Sequence, residues 1–461
     1  MTAARVLLLL PPNRLAPPAR PPLHAPLFTA LMAAALREAG HTPTVVDLHL
    51  HPHPDPLAVQ AAVDRADPDQ IIVLHSDYNR QVAPETLAAV VALLKADRPD
   101  RPVALGGRLS LALARAALAD APLADGALVG EPEATAVAFA AGRSEGLLRR
   151  AADPAPAPPP PVAPPVPAWD LVRLDDYRYA PHQSTAEPVV PVLASRGCPH
   201  PCFWCEVRDQ GAYALRPVDE VLAELRVLML RDGVRSVFFA DPTFAVDPRW
   251  TAALLDGLAA LPPLRWSAMV RPDHVHGAML RRFRAAGCWS VLYGVESLNP
   301  AAQRAAGKGL SAAVVGEAIG AAKAAGLEVI ASALVGLPGD DPAGFKATVE
   351  QLITMGPDFA QFFTIRVPPH RALPAGARRA GALEGGRHDF TGQVVLSDGF
   401  RDAAQLEALR RWAFRRFYLR PSYAGGLLHR KLRDPDAAHQ LARLVRGSLL
   451  AARMSLPGMA P

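Results

Sequence analysis

Cys198-Pro199-His200-Pro201-Cys202-Phe203-Trp204-Cys205 places three thiols within eight residues, in the spacing C-x3-C-x2-C. Three thiolates on one loop can ligate three irons of a 4Fe–4S cluster and leave the fourth iron without a protein ligand. A fourth cysteine would close that position; an open iron is what a chelating substrate needs. The competing readings are a zinc site and a chance cluster of buried cysteines. Structural zinc takes four ligands, usually as two separated pairs, and His200, the extra donor, lies inside the loop. The spacing, the aromatic residue before the last cysteine and the apolar strand preceding the loop favour the cluster. The remaining cysteine, Cys288, follows Gly287 at the start of an apolar run and reads as packed core rather than as a methyl-carrying thiol.

The elements that must position this loop alternate strand and helix. Apolar strands are expected at Val189–Ser195, Ser236–Ala240, Leu264–Val270, Ser290–Gly294, Glu328–Val335 and Ala360–Val367, with helices over Pro217–Arg231, Pro248–Ala260, Val275–Ala286, Ala312–Ala325 and Pro342–Met355. Six such units make an open, partial (β/α)6 barrel, whose chemistry collects at the C-terminal ends of the strands. The first 150 residues alternate in the same way. Strands are expected at Arg5–Leu10, Thr44–Leu48, Gln70–Ser76, Val103–Gly107 and Gly126–Gly130, with helices at Leu27–Ala39, Pro84–Lys95 and Leu109–Asp120. This is the pattern of an α/β, doubly wound, Rossmann- or flavodoxin-like domain with its ligand at the carboxyl ends of the strands. Residues 153–168 are dominated by proline and predict a stiff spacer. The expected division is therefore 1–150, a linker over 151–185, the barrel over 186–395 and a helical region over 396–461, with helices at Asp402–Leu419 and Asp436–Met454.

Composition bounds the function. At roughly 150 residues per domain, 461 residues allow two or three domains, and 50% hydrophobic content supplies their cores. A net charge of +5 without a dense Lys/Arg block argues against a dedicated nucleic-acid binder. Four cysteines, three of them clustered, exclude a disulfide scaffold and suit a reducing compartment. The apolar run Val6–Leu10 is too short for a signal peptide. No run of about 18 apolar residues predicts a membrane span. The expected location is the cytoplasm.

The cysteine loop resembles that of the radical SAM superfamily. Phe239-Ala240-Asp241-Pro242-Thr243-Phe244, Met269-Val270-Arg271-Pro272-Asp273, Tyr293-Gly294-Val295-Glu296-Ser297, Gly307-Lys308-Gly309 and Val335-Gly336-Leu337-Pro338-Gly339 follow in the order of its cobalamin-binding branch. Val129-Gly130-Glu131-Pro132-Glu133 ends the domain before them, and Arg416-Phe417-Tyr418-Leu419-Arg420-Pro421 resembles the branch's C-terminal region. The resemblance implies that Cys198, Cys202 and Cys205 hold a 4Fe–4S cluster whose open iron is chelated by S-adenosylmethionine (SAM). An electron from the cluster then cleaves the sulfonium to a 5′-deoxyadenosyl radical. It implies an external electron donor of flavodoxin or ferredoxin type.

Candidate SAM contacts are Asp241 for the ammonium, or as a helix N-cap; Arg271 for the carboxylate and Glu296 and Ser297 for the ribose, the alternative for these three being rim salt bridges and caps; Ser332 facing the adenosyl group; and Gly336 beside the adenine, or in a plain tight turn. In the N-terminal domain Asn13, Ser76, Gly106, Gly107, Gly130 and Glu131 lie at strand ends, where glycine lets a large flat ligand approach the backbone. The resemblance makes that ligand cobalamin; the G-x-G-x-x-G of a nicotinamide or flavin site is absent. Asp47-Leu48-His49-Leu50-His51-Pro52 lacks the final glycine of a cobalt-ligating D-x-H-x-x-G motif and follows the wrong strand, so His75-Ser76-Asp77-Tyr78 is the better candidate for the lower corrin face.

The reading that follows is a cobalamin-dependent radical SAM methyltransferase acting on an unactivated carbon of a small molecule. Its rivals are a cyclase or rearrangement enzyme of the same architecture, resembling those that act on tetrapyrroles, and a non-catalytic cofactor sensor. A methylthiotransferase would need three further cysteines. Arg366, His370 and Arg371 could meet an anionic substrate, the stretch Ala372–Gly392 could shape its pocket, and the C-terminal helices could cap the barrel mouth.

Overall fold

The computed structural model describes residues 3–12, 24–50, 56–77, 80–159, 165–177, 179, 188–209, 212–368, 371–380, 393–423 and 425. Asn13, Tyr78, His370 and the helix expected over 436–454 lie outside the described residues. Tertiary contacts divide the chain into two compact units: Met1–Arg178 with Asp209–Gly211 and His388–Thr391, and the remainder.

The first unit runs β1 (Arg5–Leu10), α1 (Leu27–Glu38), β2 (Thr42–Asp47), α2 (Pro56–Ala66), β3 (Gln70–Leu74), α3 (Pro84–Asp97), β4 (Val103–Gly106), α4 (Leu111–Asp120), β5 (Gly126–Leu128), α5 (Pro132–Ala140) and β6 (Leu147–Leu148). Its sheet has the order β2-β1-β3-β4-β5-β6, parallel except for β6. Both faces are covered, which is why β1 reads as an unbroken apolar run. Leu7, Leu9, Ile71 and Val73 pack with residues of α2, α3 and α4. Val6, Leu8, Leu10 and Ile72 pack with residues of α1 and α5. The order is flavodoxin-like, and its topological switch lies between β1 and β3. The sequence reading missed α2, α5 and β6. Pro43 falls in β2, an edge strand, where a missing N–H costs nothing.

The start of α1 is held from outside the helix. Its N-cap residue, Pro26, supplies no side-chain bond. Instead the buried Asp77 carboxylate accepts from Phe28 N (3.1 Å), Thr29 N (2.9 Å) and Thr29 Oγ1 (2.5 Å).

The proline-rich stretch is not a free spacer along its whole length. Ala168 N donates to Ala30 O, Trp169 is buried, Asp170 pairs with Arg37 at 2.8 Å, and Tyr177 Oη donates to Asp47 Oδ2. One large aromatic ring offers enough apolar area to dock a segment whose composition otherwise disfavours folding. Residues 160–164 lie outside the described residues.

The second unit runs β7 (Val189–Val192), α6 (Val218–Arg231), β8 (Ser236–Phe244), α7 (Pro248–Ala259), β9 (Arg265–Val270), α8 (Gly277–Ala285), β10 (Cys288–Glu296), α9 (Pro300–Ala306), α10 (Ala312–Ala324), β11 (Glu328–Val335), α11 (Pro342–Met355), β12 (Phe359–Thr364) and α12 (Ala403–Tyr418). Six parallel strands follow in the order β12-β11-β10-β9-β8-β7, the open partial barrel expected. Pro191 lies on the edge strand β7, and Pro242 falls within a register shift of β8 between Phe239 and Phe244. Both are positions where a strand tolerates proline. Side chains of Asp247, Ser311, Asp341 and Asp402 cap the helices that follow them. The last strand, expected to run to Val367, stops at Thr364. Arg366–Val367 joins Gln393–Ser397 and Ala377–Arg379 in a small antiparallel sheet. Helix α12 packs on the edge strand β12: Phe414 meets Phe362 edge-on, and Tyr418 Oη accepts from Ala360 N (3.0 Å) and donates to Ala360 O (2.7 Å). One side chain thus satisfies both main-chain groups of an edge residue.

Replacing Asp77 with Ala should loosen α1 specifically. The expected loss is about 1–3 kcal/mol of local opening free energy. Amide hydrogen exchange should show it as faster exchange in Leu27–Glu38 with α3 unchanged.

Candidate active site

The thiol loop leaves the end of β7 from a segment gripped at three consecutive residues. Leu193 O accepts from Arg216 Nη1 at 2.7 Å, and the same nitrogen pairs with Glu224 Oε2 at 2.6 Å. Ala194 N donates to Asp241 Oδ2 at 3.1 Å, and Ser195 Oγ donates to Asp241 Oδ1 at 2.5 Å. Arg216, Glu224 and Asp241 are all buried. Burial pushes the Glu224 carboxyl up against the opposing pull of Arg216. Burial raises Asp241 to about 6, offset in part by its Ser195 and Ala194 donors. A short antiparallel ribbon, Ser195–Arg196 with Ala214–Leu215, closes the base of the loop. There Gly197 has φ +69°, and a Cβ would lie 2.6 Å from Ala212 O. Asp241 is therefore neither a helix cap nor an open acceptor. Its carboxylate is spent on holding the start of the loop.

Within the loop, Cys205 N donates to Cys202 O at 3.2 Å, and all three thiols are partly exposed. Burial pushes Cys202 up, with nearby Lys308 opposing, and lifts Cys205 to about 11. Thiols held protonated by burial become thiolates when a metal replaces the proton, so the donor set fits a bound cluster. Among the described residues no group of three or more His, Cys, Asp or Glu side chains is gathered for a single metal ion. Arg371 reaches back to the loop, donating from Nη2 to Cys205 O at 3.3 Å, and Arg379 Nη2 donates to Arg371 O at 2.7 Å. At the loop's centre, His200 Nε2 meets His274 Nε2 at 3.1 Å. Burial, with Arg271 adding to it, lowers His200 to about 4, so the ring is neutral. Cys288 is fully buried in β10, its thiol directed to Ser290 O, as expected of packed core.

The remaining candidate contacts are mostly occupied by protein partners. Arg271 forks onto Asp273 (Nε to Oδ1 3.0 Å, Nη2 to Oδ2 2.8 Å) and also donates to Lys308 O at 2.9 Å. Ser297 is buried against Asp340 and Thr348 and accepts from Asn299 N, so it shapes the turn after β10 rather than facing a ribose. Gly336 has φ +101°, and a Cβ there would lie 2.9 Å from Ile365 Cγ2 and 3.1 Å from Leu406 Cδ1. Glycine is required at that position for internal packing. Ser332 lies in β11, paired in register with Gly294, and is buried.

Glu296 is the candidate that keeps a distinctive setting. It has φ +66°, unusual for a side-chain-bearing residue, and follows a register shift at the end of β10. Lys308 Nζ sits 2.7 Å from its Oε1, both groups largely buried. Gly294 leaves room for the pair: a Cβ would lie 2.6 Å from Lys308 Nζ. Lys308 and Gln303 were not assigned roles from sequence. Gln303 ties the turn together, donating to Val295 O and Ser297 O and accepting from Leu310 N. The signal available for Lys308 was its rarity, a lysine between two glycines in an arginine-rich chain.

In the first unit, Ser76, Gly107 and Gly130 follow the neighbouring strands β3, β4 and β5. Gly107 and Gly130 share φ +116°. A Cβ on Gly107 would strike Ser76 O at 2.1 Å, whereas Gly130 meets only Thr135 Cγ2 at 3.8 Å and is open to a ligand. Gly106 faces inward, where a Cβ would strike Ile72, so it serves the core. Glu131, half-buried, is the N-cap residue of α5 and has Arg108 at 3.8 Å. Among the described residues, Ser76 Oγ is buried without a hydrogen-bond partner, and so is Nδ1 of the buried His75, which burial lowers to about 4. The N-terminus of α1, where a doubly wound nucleotide site holds a phosphate, is filled by Asp77. Orphaned polar atoms beside a glycine-lined strand end fit a large, mostly uncharged ligand better than a pyrophosphate.

Residues 192–352 match the radical SAM superfamily. The chain is 28% identical over 267 residues to an uncharacterized methyltransferase of Pyrococcus horikoshii, covering 56% of each. The chain thus spans about half the length of the curated relatives it matches. Its fold matches TsrM of Kitasatospora setae, a radical S-adenosylmethionine methyltransferase solved with cobalamin and a [4Fe-4S] cluster (TM-score 0.70, 17% identity, 97% of this chain and 99% of that one). Another TsrM structure holds a tryptophan substrate and a SAM analogue (TM-score 0.68, 18% identity, 89% of each chain). The cobalamin-dependent radical enzyme OxsB, with aqua-cobalamin and S-adenosylmethionine bound, shares the fold as well (TM-score 0.69, 14% identity, 98% of this chain and 72% of that one).

Asp241 gives the partial barrel a pH signature. Its native carboxyl, at about 6, binds a proton more tightly than the unfolded one at 3.8, so the stability it contributes is full below 3.8 and is lost as pH rises through about 6. Asp241→Asn stays neutral at the same size, keeping one acceptor oxygen where the carboxylate has two. The thermal midpoint of the metal-free variant should therefore change less than wild type over that window in a pH series of differential scanning fluorimetry.

Proposed function

We propose that this radical SAM protein is a cobalamin-dependent methyltransferase that acts on an unactivated carbon of a small molecule. The observation that carries the proposal is a three-thiol loop with no fourth cysteine in reach, on a rigidly anchored segment at the C-terminal end of a parallel strand. In this reading Cys198, Cys202 and Cys205 hold the cluster. When bound, the cluster and cobalamin supply an electron for SAM cleavage and a carrier for the methyl group.

The chain's own residues do the positioning. Lys308 fixes Glu296 through Oε1, leaving Oε2 to accept a ribose hydroxyl. Arg271, already forked onto Asp273, adds positive charge near the SAM carboxylate rather than a dedicated clamp. Gly130 and Ser76 form part of the cobalamin cradle, with Gly107 packing the neighbouring strand ends together. A small molecule is supported by the tryptophan bound in TsrM and by the absence of a dense basic block in the sequence. Among the described residues no helix is long and apolar enough to cross a membrane. We assign the enzyme to a reducing compartment such as the cytoplasm, where a flavodoxin- or ferredoxin-type donor would reduce it.

Anaerobic reconstitution with iron, sulfide and hydroxocobalamin, followed by desalting and an absorption spectrum, tests this directly. The expected result is a 4Fe–4S band beside retained cobalamin. The Cys198→Ala/Cys202→Ala/Cys205→Ala variant should lose the cluster and all SAM cleavage while keeping cobalamin. With reductant, SAM and candidate substrates, paired S-adenosylhomocysteine and 5′-deoxyadenosine report methyl transfer. Deoxyadenosine alone with a rearranged product would assign the chain to the cyclase-type reading instead.

A further inference from the structure

His200 sits midway between Cys198 and Cys202, flanked by Pro199 and Pro201. Two prolines fix φ on either side, so the ring's placement is coupled tightly to the path of the backbone between the two thiols. The ring meets His274 across a 3.1 Å contact between Nε2 atoms, with ring centroids 4.9 Å apart. His274 follows β9, three residues after Arg271.

The contact dictates its own proton arrangement. Two imidazoles whose Nε2 atoms lie at this distance share one hydrogen, so one ring donates and the other accepts. Among the described residues, the buried His274 Nδ1 has no partner. A buried N–H with no acceptor is the costlier orphan, so His274 carries its hydrogen on Nε2 and leaves Nδ1 bare. His200 then accepts at Nε2 and carries its hydrogen on Nδ1. The arrangement gives His200 a defined tautomer and a defined ring orientation.

The segments on either side of this contact are tied to each other. Arg271 forks onto Asp273, beside His274, and also donates to the carbonyl of Lys308. Lys308 follows Gly307, which approaches the loop closely: a Cβ would lie 3.2 Å from Pro201 O, tighter than ordinary van der Waals contact. One arginine therefore brackets the two turns that touch the centre of the thiol loop.

We propose that His274 is a positioning residue for the cluster loop, acting through His200: by donating to His200 Nε2 it fixes the Cys198–Cys202 segment in its ligating conformation. This rests on the cluster reading above. It predicts a measurable effect on the bound cluster that does not depend on turnover.

The test uses the full chain, reconstituted anaerobically. Iron release to a chelator is followed by absorbance, and the midpoint potential by electron paramagnetic resonance during redox titration. His274→Phe keeps a ring but removes the donor. It should accelerate iron release about fivefold, the factor one net hydrogen bond is worth, and shift the potential. His274→Gln restores a donor and should return both values to within about twofold of wild type on the same scale. In a His200→Phe background, His274→Phe should add nothing further, because the cycle removes the shared contact. Should His200→Phe fail to fold, as judged by circular dichroism, His200→Leu, which also lacks an acceptor, replaces it in the cycle. A His274→Phe protein with wild-type release and potential would overturn the proposal, as would an effect of undiminished size in the His200 background. A wild-type chain that retains no cluster overturns the cofactor reading itself, and this proposal with it.

Discussion

The second unit depends on one buried carboxylate. Asp241, in the bulged part of β8, holds Ala194 and Ser195, the residues that lead from β7 into the thiol loop. A carboxylate enclosed in this way is costly unless its lone pairs are filled, and here they are filled by the segment that must not move. The neighbouring residue, Leu193, is held by Arg216, whose charge is balanced by Glu224. Two buried polar groups from different elements thus converge on three residues of chain. The loop beyond them starts from a fixed point, and its short ribbon and Gly197 turn set its direction. Flexibility of the thiols is limited before anything binds.

This arrangement explains what the sequence made legible. Strand and helix positions followed from apolar runs and helical spacing, because a parallel sheet covered on both faces leaves continuous hydrophobic segments. The thiol loop was legible because its chemistry lies in spacing along the chain. Roles that depend on contacts between distant residues were not. Asp241 at a strand end reads equally as a ligand contact or a cap, and only the fold shows its partner 47 residues earlier. Arg271, Ser297 and Gly336 stand at the expected strand ends, yet their polar groups or their space are taken by Asp273, Asp340 and Leu406. Trp169, inside a proline-rich stretch, illustrates the same limit: composition predicted a spacer, while one ring decided that the segment docks.

The first unit shows how a common fold excludes ligands as well as admitting them. A doubly wound sheet offers the N-terminus of its first helix to phosphate. In this chain Asp77 occupies that position with three hydrogen bonds. A phosphate there would meet a carboxylate instead of free N–H groups. Among the described residues, what the strand ends still offer is an open glycine at 130 and unpartnered polar atoms on His75 and Ser76. The absence of a G-x-G-x-x-G sequence and the presence of Asp77 therefore state the same exclusion, one in composition and one in geometry.

Charge around the thiol loop completes the argument. Lys308 is paired with Glu296 and Arg271 with Asp273, while Arg371 donates to Cys205 O. Both histidines beside it are lowered by burial and carry no charge at neutral pH. Burial dominates and holds Cys202 and Cys205 above the ordinary thiol range. Such thiols are poor nucleophiles on their own. Their negative charge has to be balanced by what they bind, so cofactor loading must displace their protons, and the residues around the loop serve to hold its shape and not to activate its sulfur.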